Sequence, residues 1–255
     1  MQATSGNAPD VAQVDSATDL QLAALGALAP LDDLMSAEAK ADIPDALRNA
    51  STFKGKLYAW PQSPAPYLLY SNLDLRQKAG FNSAPKTWDE LITQATAIAK
   101  LGGPGAADKV WGYSPDTARW IVGTYDFLPA FYNFGGKEFN DKGVVQMDSA
   151  PAVAVLTMYK GLVDKGVLGP PGSDVREMRN LFSKGKLGFY IDNPGGRGII
   201  RDQSGQGKAF DSHYEALAFP TNAESTGFSI YYAHSFVVFQ QSKHKKESAQ
   251  FLDFV

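Results

Sequence analysis

Short apolar segments of strand character alternate with amphipathic segments of helical period along almost the whole chain, and this alternation restricts the fold more than any other feature. Strand-like PDVAQVD (9–15) leads into a helix carrying Leu20, Leu22 and Leu25, which stops at Gly26. An amphipathic stretch runs from Ser36 to about Asn49, and GKLYAWP then reads as one short strand ending at Pro61. YLLYS is a strand, 73–79 a helix, 88–100 a capped helix, KVWGYSP a strand, and 116–134 a long aromatic helix. FGGKEFNDKG is a loop or hairpin. Helices from Ser149 to Gly166 and from about 174 to 183 precede the strand KLGFYID, a glycine-rich NPGGRG with a short helix, and the strand YEALAFP. FSIYYAHSFVVFQQ returns as a strand, and a last helix begins in KHKKESAQFLDFV. Strands and helices in such alternation predict α/β layers.

Local signals punctuate this pattern. In APKTWDEL, Thr87 followed by Glu90 is a capping box ahead of Leu91, Ile92, Ala95, Ile98 and Ala99. Gly102-Gly103-Pro104-Gly105 suits the end of that helix. Ser149 is placed to cap a helix with Pro151 in its first turn. Pro61, Pro64 and Pro66 fall so close together that no regular ladder can form, which favours an extended crossing segment instead. TNAEST is a second, polar crossing.

Several function classes are excluded early. The 255 residues carry a net charge of -3, which gives no general attraction to nucleic acid or anionic lipid. There is no cysteine, so thiolate metal sites, cysteine nucleophiles and disulfides are all excluded. His213, His234 and His244 are not at metal-ligand spacing, and no metal or cofactor is expected. No Walker loop, G-x-G-x-x-G or G-x-S-x-G elbow occurs. No apolar run is long enough to span a bilayer, and no signal segment marks the start. Adjacent acids such as Asp32-Asp33 and Asp89-Glu90 suit helix beginnings, but they do not face each other as an acid/base pair would.

Two features stay open at this level. NPGGRG (193–198), after a strand and before a helix, reads either as an anion-binding loop with Arg197 beside it or as a plain turn. Trp60, Tyr67, Trp111, Trp120, Tyr125, Tyr231 and Tyr232 lie at element ends, where aromatic rings either pack in the core or wall a cleft.

Four blocks in fixed order carry a resemblance. They are PDVAQVDS…GALAPLDDL, GKLYAWPQSPAPYLLYSNLDLRQKAGFNSAPKTWDEL, LFSKGKLGFYIDNPGG and SFVVFQQSKHKKESAQFLDF. The chain resembles the extracellular solute-binding proteins of ABC importers, family 1, which include sugar-, maltodextrin- and glycerol-phosphate-binding members. The resemblance implies a two-lobed α/β periplasmic-binding-protein fold of the class II type, with the ligand in a cleft between lobes. It places 1–64 and 226–255 in a first, incomplete lobe and 65–222 in a second, with hinge crossings near 61–67 and 221–227. It also implies that the chain is truncated at both ends, leaving an exposed sheet edge in the smaller lobe.

Carried over by position, the implied ligand contacts are Asp15, Ser16 and Thr18 on the first loop and Gln62, Ser63 and Tyr67 at the first crossing. On the second lobe they are Trp120, Tyr125 and Asp126, with Asp192, Asn193 and Arg197 on the loop after GFYI. Tyr232 and His234 come from the return strand. Many sugar binders have a stacking Trp where this chain has Gly195-Gly196, and the acid of maltodextrin binders falls on Ala65, which leaves room for a sugar phosphate or glycerol phosphate ester beside Arg197. The implied function is a non-enzymatic, monomeric, extracytoplasmic subunit that delivers a carbohydrate, polyol or polyol phosphate to the transmembrane permease. The alternatives are a carbohydrate-active hydrolase using Asp15, Asp126 and Asp192, or a receptor or adhesion protein presenting a liganded surface.

Overall fold

The computed structural model describes residues 7–103, 105–222 and 227–255. In chain order the elements are β1 (Val11–Asp15), α1 (Asp19–Ala24), α2 (Ala37–Asp42), α3 (Asp45–Ala50), β2 (Thr52–Phe53), β3 (Lys56–Leu57), β4 (Trp60–Pro61) and β5 (Ala65–Pro66). They continue as β6 (Leu68–Asn72), α4 (Leu73–Lys78), α5 (Trp88–Ala99), β7 (Trp111–Ser114), α6 (Ile121–Asn133), α7 (Ala150–Asp164) and α8 (Val175–Ser183). The remainder is β8 (Leu187–Asp192), α9 (Gly196–Ser204), β9 (Tyr214–Leu217), β10 (Tyr231–Tyr232), β11 (His234–Val238) and α10 (Lys245–Phe254).

The chain forms two compact units, Met1–Ala65 with Tyr231–Val255 and Pro66–Ile230. The second change of unit therefore falls between residues 230 and 231, a few residues beyond the expected 221–227 crossing. Of the TNAEST segment, 223–226 lie outside the described residues, as does Pro104 of the GGPG helix end.

The first unit is built on an antiparallel sheet ordered β1-β11-β4. Its register sets Asp15 opposite His234 and Pro61 opposite Ser235. Leu31, Val238 and Leu252 are fully buried beside it. GKLYAWP is two strands rather than one. β3 turns back on β2 through Lys54 and Gly55, both at positive φ, the geometry a two-residue hairpin loop requires. β4 instead pairs with β11. The expected 36–49 helix is also two, because Pro44 cannot continue a helix and holds Ile43 extended before it.

The second unit has a mixed sheet ordered β7-β8-β6-β9, with β7 and β8 parallel and the other neighbours antiparallel. All six residues of β8 are buried, which explains its near-continuous apolar run. Glycine lets α5 come close: a Cβ on Gly112 would meet the Ala95 carbonyl at 2.0 Å, and one on Gly188 would meet Ile98 at 2.9 Å. Phe182 of α8 packs on Tyr190 with ring centroids 4.7 Å apart.

Three helix starts differ in detail from expectation. Thr87 accepts a hydrogen bond from the Glu90 N–H at 3.2 Å, but the Glu90 carboxylate reaches back to the N–H of Lys86, one residue before the cap. Ser149 precedes α7 without a side-chain cap bond, and its hydroxyl is buried with no partner. α6 begins at Ile121, not at 116, because Asp116 draws the intervening residues into a loop around its own carboxylate.

Candidate functional site

In the first unit the sheet register gathers polar side chains at one end. Asp15 closes β1 and its Oδ1 accepts from the Ala17 N–H at 3.0 Å and the Thr18 hydroxyl at 2.9 Å, an Asx turn that fixes the loop. The Ser16 N–H donates to the Ala233 carbonyl at 2.9 Å, anchoring the same loop to the return strand. The His234 carbonyl receives both the Gln62 N–H at 2.9 Å and the Ser63 N–H at 3.3 Å. The Gln62 side chain accepts from Gln13 at 3.1 Å. Tyr232 OH and His234 Nε2 lie 3.0 Å apart. Asp15, Ser16, Thr18, Gln62, Ser63 and His234 thus gather at one end of the β1-β11-β4 sheet, with Tyr232 of β10 against His234, held by bonds that leave hydroxyl, amide and imidazole groups beside each other.

Behind this end lies Asp19, 1% exposed, in the first turn of α1. Burial pushes its carboxyl up to about 6, against the lowering effects of the Leu20 N–H and Ser235, while the neighbouring Asp15 charge raises it further. Sequence reading did not single out Asp19; an acid in a first turn looks like a dipole partner, and only packing reveals its burial.

In the second unit the expected residues separate into two kinds. Tyr67 and Tyr125 meet edge to face with centroids 5.9 Å apart and are mostly buried. Trp120 is 47% exposed, and its indole N–H donates to Asp116 Oδ2 at 2.8 Å. Asp126 is fully buried, and its Oδ2 accepts from the Asp116 N–H at 2.6 Å. Burial holds its carboxyl well above the carboxylate range, with the charges of Asp116 and Asp192 adding to the effect and the Asp116 N–H opposing it. Asp192 is 1% exposed and forms a bidentate pair with Arg179, Nε–Oδ2 and Nη2–Oδ1 both 2.7 Å. It also accepts from Tyr190 OH and the Asn193 N–H.

The 193–198 loop is an Asx turn, with Asn193 Oδ1 accepting from the Gly195 N–H at 2.9 Å. A Cβ on Gly196 would stand 2.0 Å from Asp192 Oδ2, so this glycine is required by close approach of the helix start to the buried pair. Arg197 is not a free cation: its guanidinium binds Asp211 at 2.5 Å, an acid that Arg201 and Tyr214 also hold. Those partners, Arg201 foremost, keep Asp211 well below the usual carboxylate range.

The hydrolase alternative needed Asp15, Asp126 and Asp192 as acid and base. Asp15 and Asp192 are instead engaged in internal hydrogen bonds, and Asp126 is fully buried, with Oδ2 bonded to the Asp116 N–H and Oδ1 left without a partner. Among the described residues no group of His and acid side chains could hold a metal ion, and no helix is long and apolar enough to cross a membrane. Arg179 and Asp116, which the sequence reading missed, organise this unit's cluster. The Pro-Asp-Thr of YSPDTARW was a readable Asx-turn signal for Asp116, whereas the sequence has no local signal for Arg179.

The chain is 27% identical over 237 residues to the sn-glycerol-3-phosphate-binding periplasmic protein of Agrobacterium fabrum, covering 88% of this chain and 52% of that one. It superposes on an ABC transporter solute-binding protein from Agrobacterium vitis solved with D-mannitol, at 25% identity and TM-score 0.78, covering 99% of this chain and 60% of the other. A solute-binding protein from Thermotoga lettingae bound to α-D-tagatose shares the fold at TM-score 0.85 and 23% identity, with 99% and 64% covered. The chain spans about half the length of the curated relatives it matches. These solved neighbours are two-lobed binding proteins, in keeping with the mixed α/β architecture expected from the sequence. The family model for bacterial extracellular solute-binding proteins matches residues 1–255, and the chain belongs to that family.

Proposed function

We propose that this chain is part of the substrate-binding subunit of an ABC importer, working outside the cytoplasmic membrane and passing a small polar solute to a transmembrane permease. The observation that carries this reading is the gathering of Asp15, Ser16, Gln62, Ser63 and His234 at one end of the β1-β11-β4 sheet, with Tyr232 of β10 against His234. Hydroxyl, amide and imidazole groups in that density suit a solute with many hydroxyls, and aromatic rings such as Trp120 and Tyr125 suit its apolar faces. Thr18, Tyr67 and Asn193 are proposed as further contacts, while Asp126 and Asp192 act as buried supports. Relatives that bind glycerol 3-phosphate and mannitol support a carbohydrate, polyol or polyol phosphate ligand. Arg197 is shared with Asp211, which favours a neutral sugar or polyol over a phosphate ester. A binding role without catalysis fits the internal use of all three candidate carboxylates.

The test is calorimetry or thermal shift on the full-length monomeric protein against D-mannitol, D-tagatose, maltose and sn-glycerol 3-phosphate. Stabilisation by at least one neutral member, in the range expected from mass action, is the predicted result. A folded protein that binds none of them would overturn the reading.

A further inference from the structure

Trp120 stands apart from the other aromatic residues of the second unit. Its ring is about half exposed, yet its one polar atom already has a partner: the indole N–H is held by Asp116 Oδ2 at 2.8 Å. The same oxygen accepts the Val175 N–H at 3.1 Å, at the start of α8, and Oδ1 accepts the Ala118 N–H at 2.9 Å. Asp116 is only 4% exposed. Its own N–H is taken by the fully buried Asp126, and the next residue, Thr117, is bound through its N–H to the Ser173 carbonyl and through its hydroxyl by the Gly172 N–H. The acid that grips the indole is therefore held from several sides, and both of its oxygens are engaged. Burial raises the Asp116 carboxyl, while the Trp120, Ala118 and Val175 N–H donors oppose that rise.

An exposed indole normally keeps its N–H for solvent or a ligand, and its side chain samples several rotamers. Here the ring is clamped, so the surface it offers is an apolar face with a fixed direction. A pre-oriented aromatic face binds the C–H face of a sugar ring without the entropy cost of ordering the side chain.

We propose that Asp116 is a positioning residue that locks Trp120 as a preformed stacking platform, and that this platform favours ring-form sugars over open-chain polyols. The inference rests on the solute-binding reading above and specifies its substrate class. Asp116 acts only through Trp120 and touches no ligand itself.

The experiment follows the indole N–H resonances of the whole protein by NMR together with calorimetric binding of maltose, D-tagatose and D-mannitol. Four tryptophans give four indole signals, and Trp120→Phe identifies the one of interest. The wild-type Trp120 proton is expected to be protected from exchange and to shift when a ring sugar binds. Asp116→Ala should expose that proton, leave the indoles of Trp60, Trp88 and Trp111 in place, and weaken ring sugars by about tenfold, with a smaller effect on mannitol. Asp116→Asn retains an acceptor and should recover most of both signals. Should Asp116→Ala fail to fold, Trp120→Phe carries the test, since it retains an aromatic ring without the anchored N–H and should lose ring-sugar affinity. Ring-sugar binding that leaves the Trp120 signal unmoved, or that Trp120→Phe does not weaken, would overturn the platform while leaving solute binding standing. Binding of D-mannitol with no affinity for either ring sugar would also overturn the platform alone. Absence of binding by every solute would overturn both.

Discussion

Asp19→Asn isolates the cost of one buried acid. The carboxyl is 1% exposed, bonded to the Leu20 N–H at 2.6 Å and close to the charge of Asp15. Folding moves it from 3.8 to about 6. Below about pH 3 the group is protonated in folded and unfolded chains alike and costs nothing. Between pH 4 and 6 the unfolded chain gives up its proton first, so stability falls as pH rises. Above pH 6 the full penalty applies, about 1.4 kcal/mol for each pH unit between the two values, or about 3 kcal/mol in all. Asparagine keeps an acceptor for Leu20 and never ionises. The variant is therefore expected to gain on the wild type as pH rises, by about 2–3 kcal/mol in total between pH 4 and pH 7.5, and to gain nothing further above that. Any offset from altered hydrogen bonding is independent of pH, so the change across the window is what carries the test. Paired urea denaturations at each pH, with Trp60 as the only tryptophan of the first unit, measure it, and titration of groups that do not interact with Asp19 cancels between the two proteins. A stability difference that stays flat from pH 4 to 7.5, or that changes with the opposite sign, would refute the reasoning.

Three further outcomes follow from the second unit. Gly196→Ala should lower stability by about 2–4 kcal/mol in thermal melts, because its Cβ would meet Asp192 Oδ2 at 2.0 Å and force the loop away from the buried pair. Arg179→Ala should cost about 3–5 kcal/mol by leaving Asp192 buried and unpaired, and Asp192→Asn in the same chain should recover a large part of it, which a double-mutant cycle in urea would measure. Thr87→Ala removes a helix cap and should cost about 1 kcal/mol with no change in solute affinity; an affinity loss by calorimetry would give this helix start a role beyond the frame.

Much of the architecture was legible because it depends on neighbours along the chain. Helical spacing of Leu91, Ala95 and Ile98, the Thr87 cap, and the all-buried run of β8 are local patterns, and α5 and β8 appear where those patterns place them. The boundaries that moved did so for local reasons that compete with periodicity: Pro44 divides one amphipathic stretch into two helices, and Lys54-Gly55 turns one apparent strand into a hairpin arm and a separate β4. The side chains proposed to meet ligand were named through the family pattern, and composition and spacing alone did not select them.

What sequence determined by itself was the alternation of elements, the absence of thiol chemistry, and the residue types available to a polar solute. Tertiary structure decided which of those residues remain available. Asp126 and Asp192 carry the chemistry of ligand contacts in the sequence, yet burial encloses the first and raises its carboxyl well above the carboxylate range, and Arg179 occupies the second. Arg197 reads as a free cation until Asp211, fourteen residues away in the chain, is found against it. Trp120 reads as one aromatic among many until Asp116 is seen holding its N–H. Burial and pairing depend on which distant segments share a neighbourhood, and that is a property of the packed chain that no local spacing encodes.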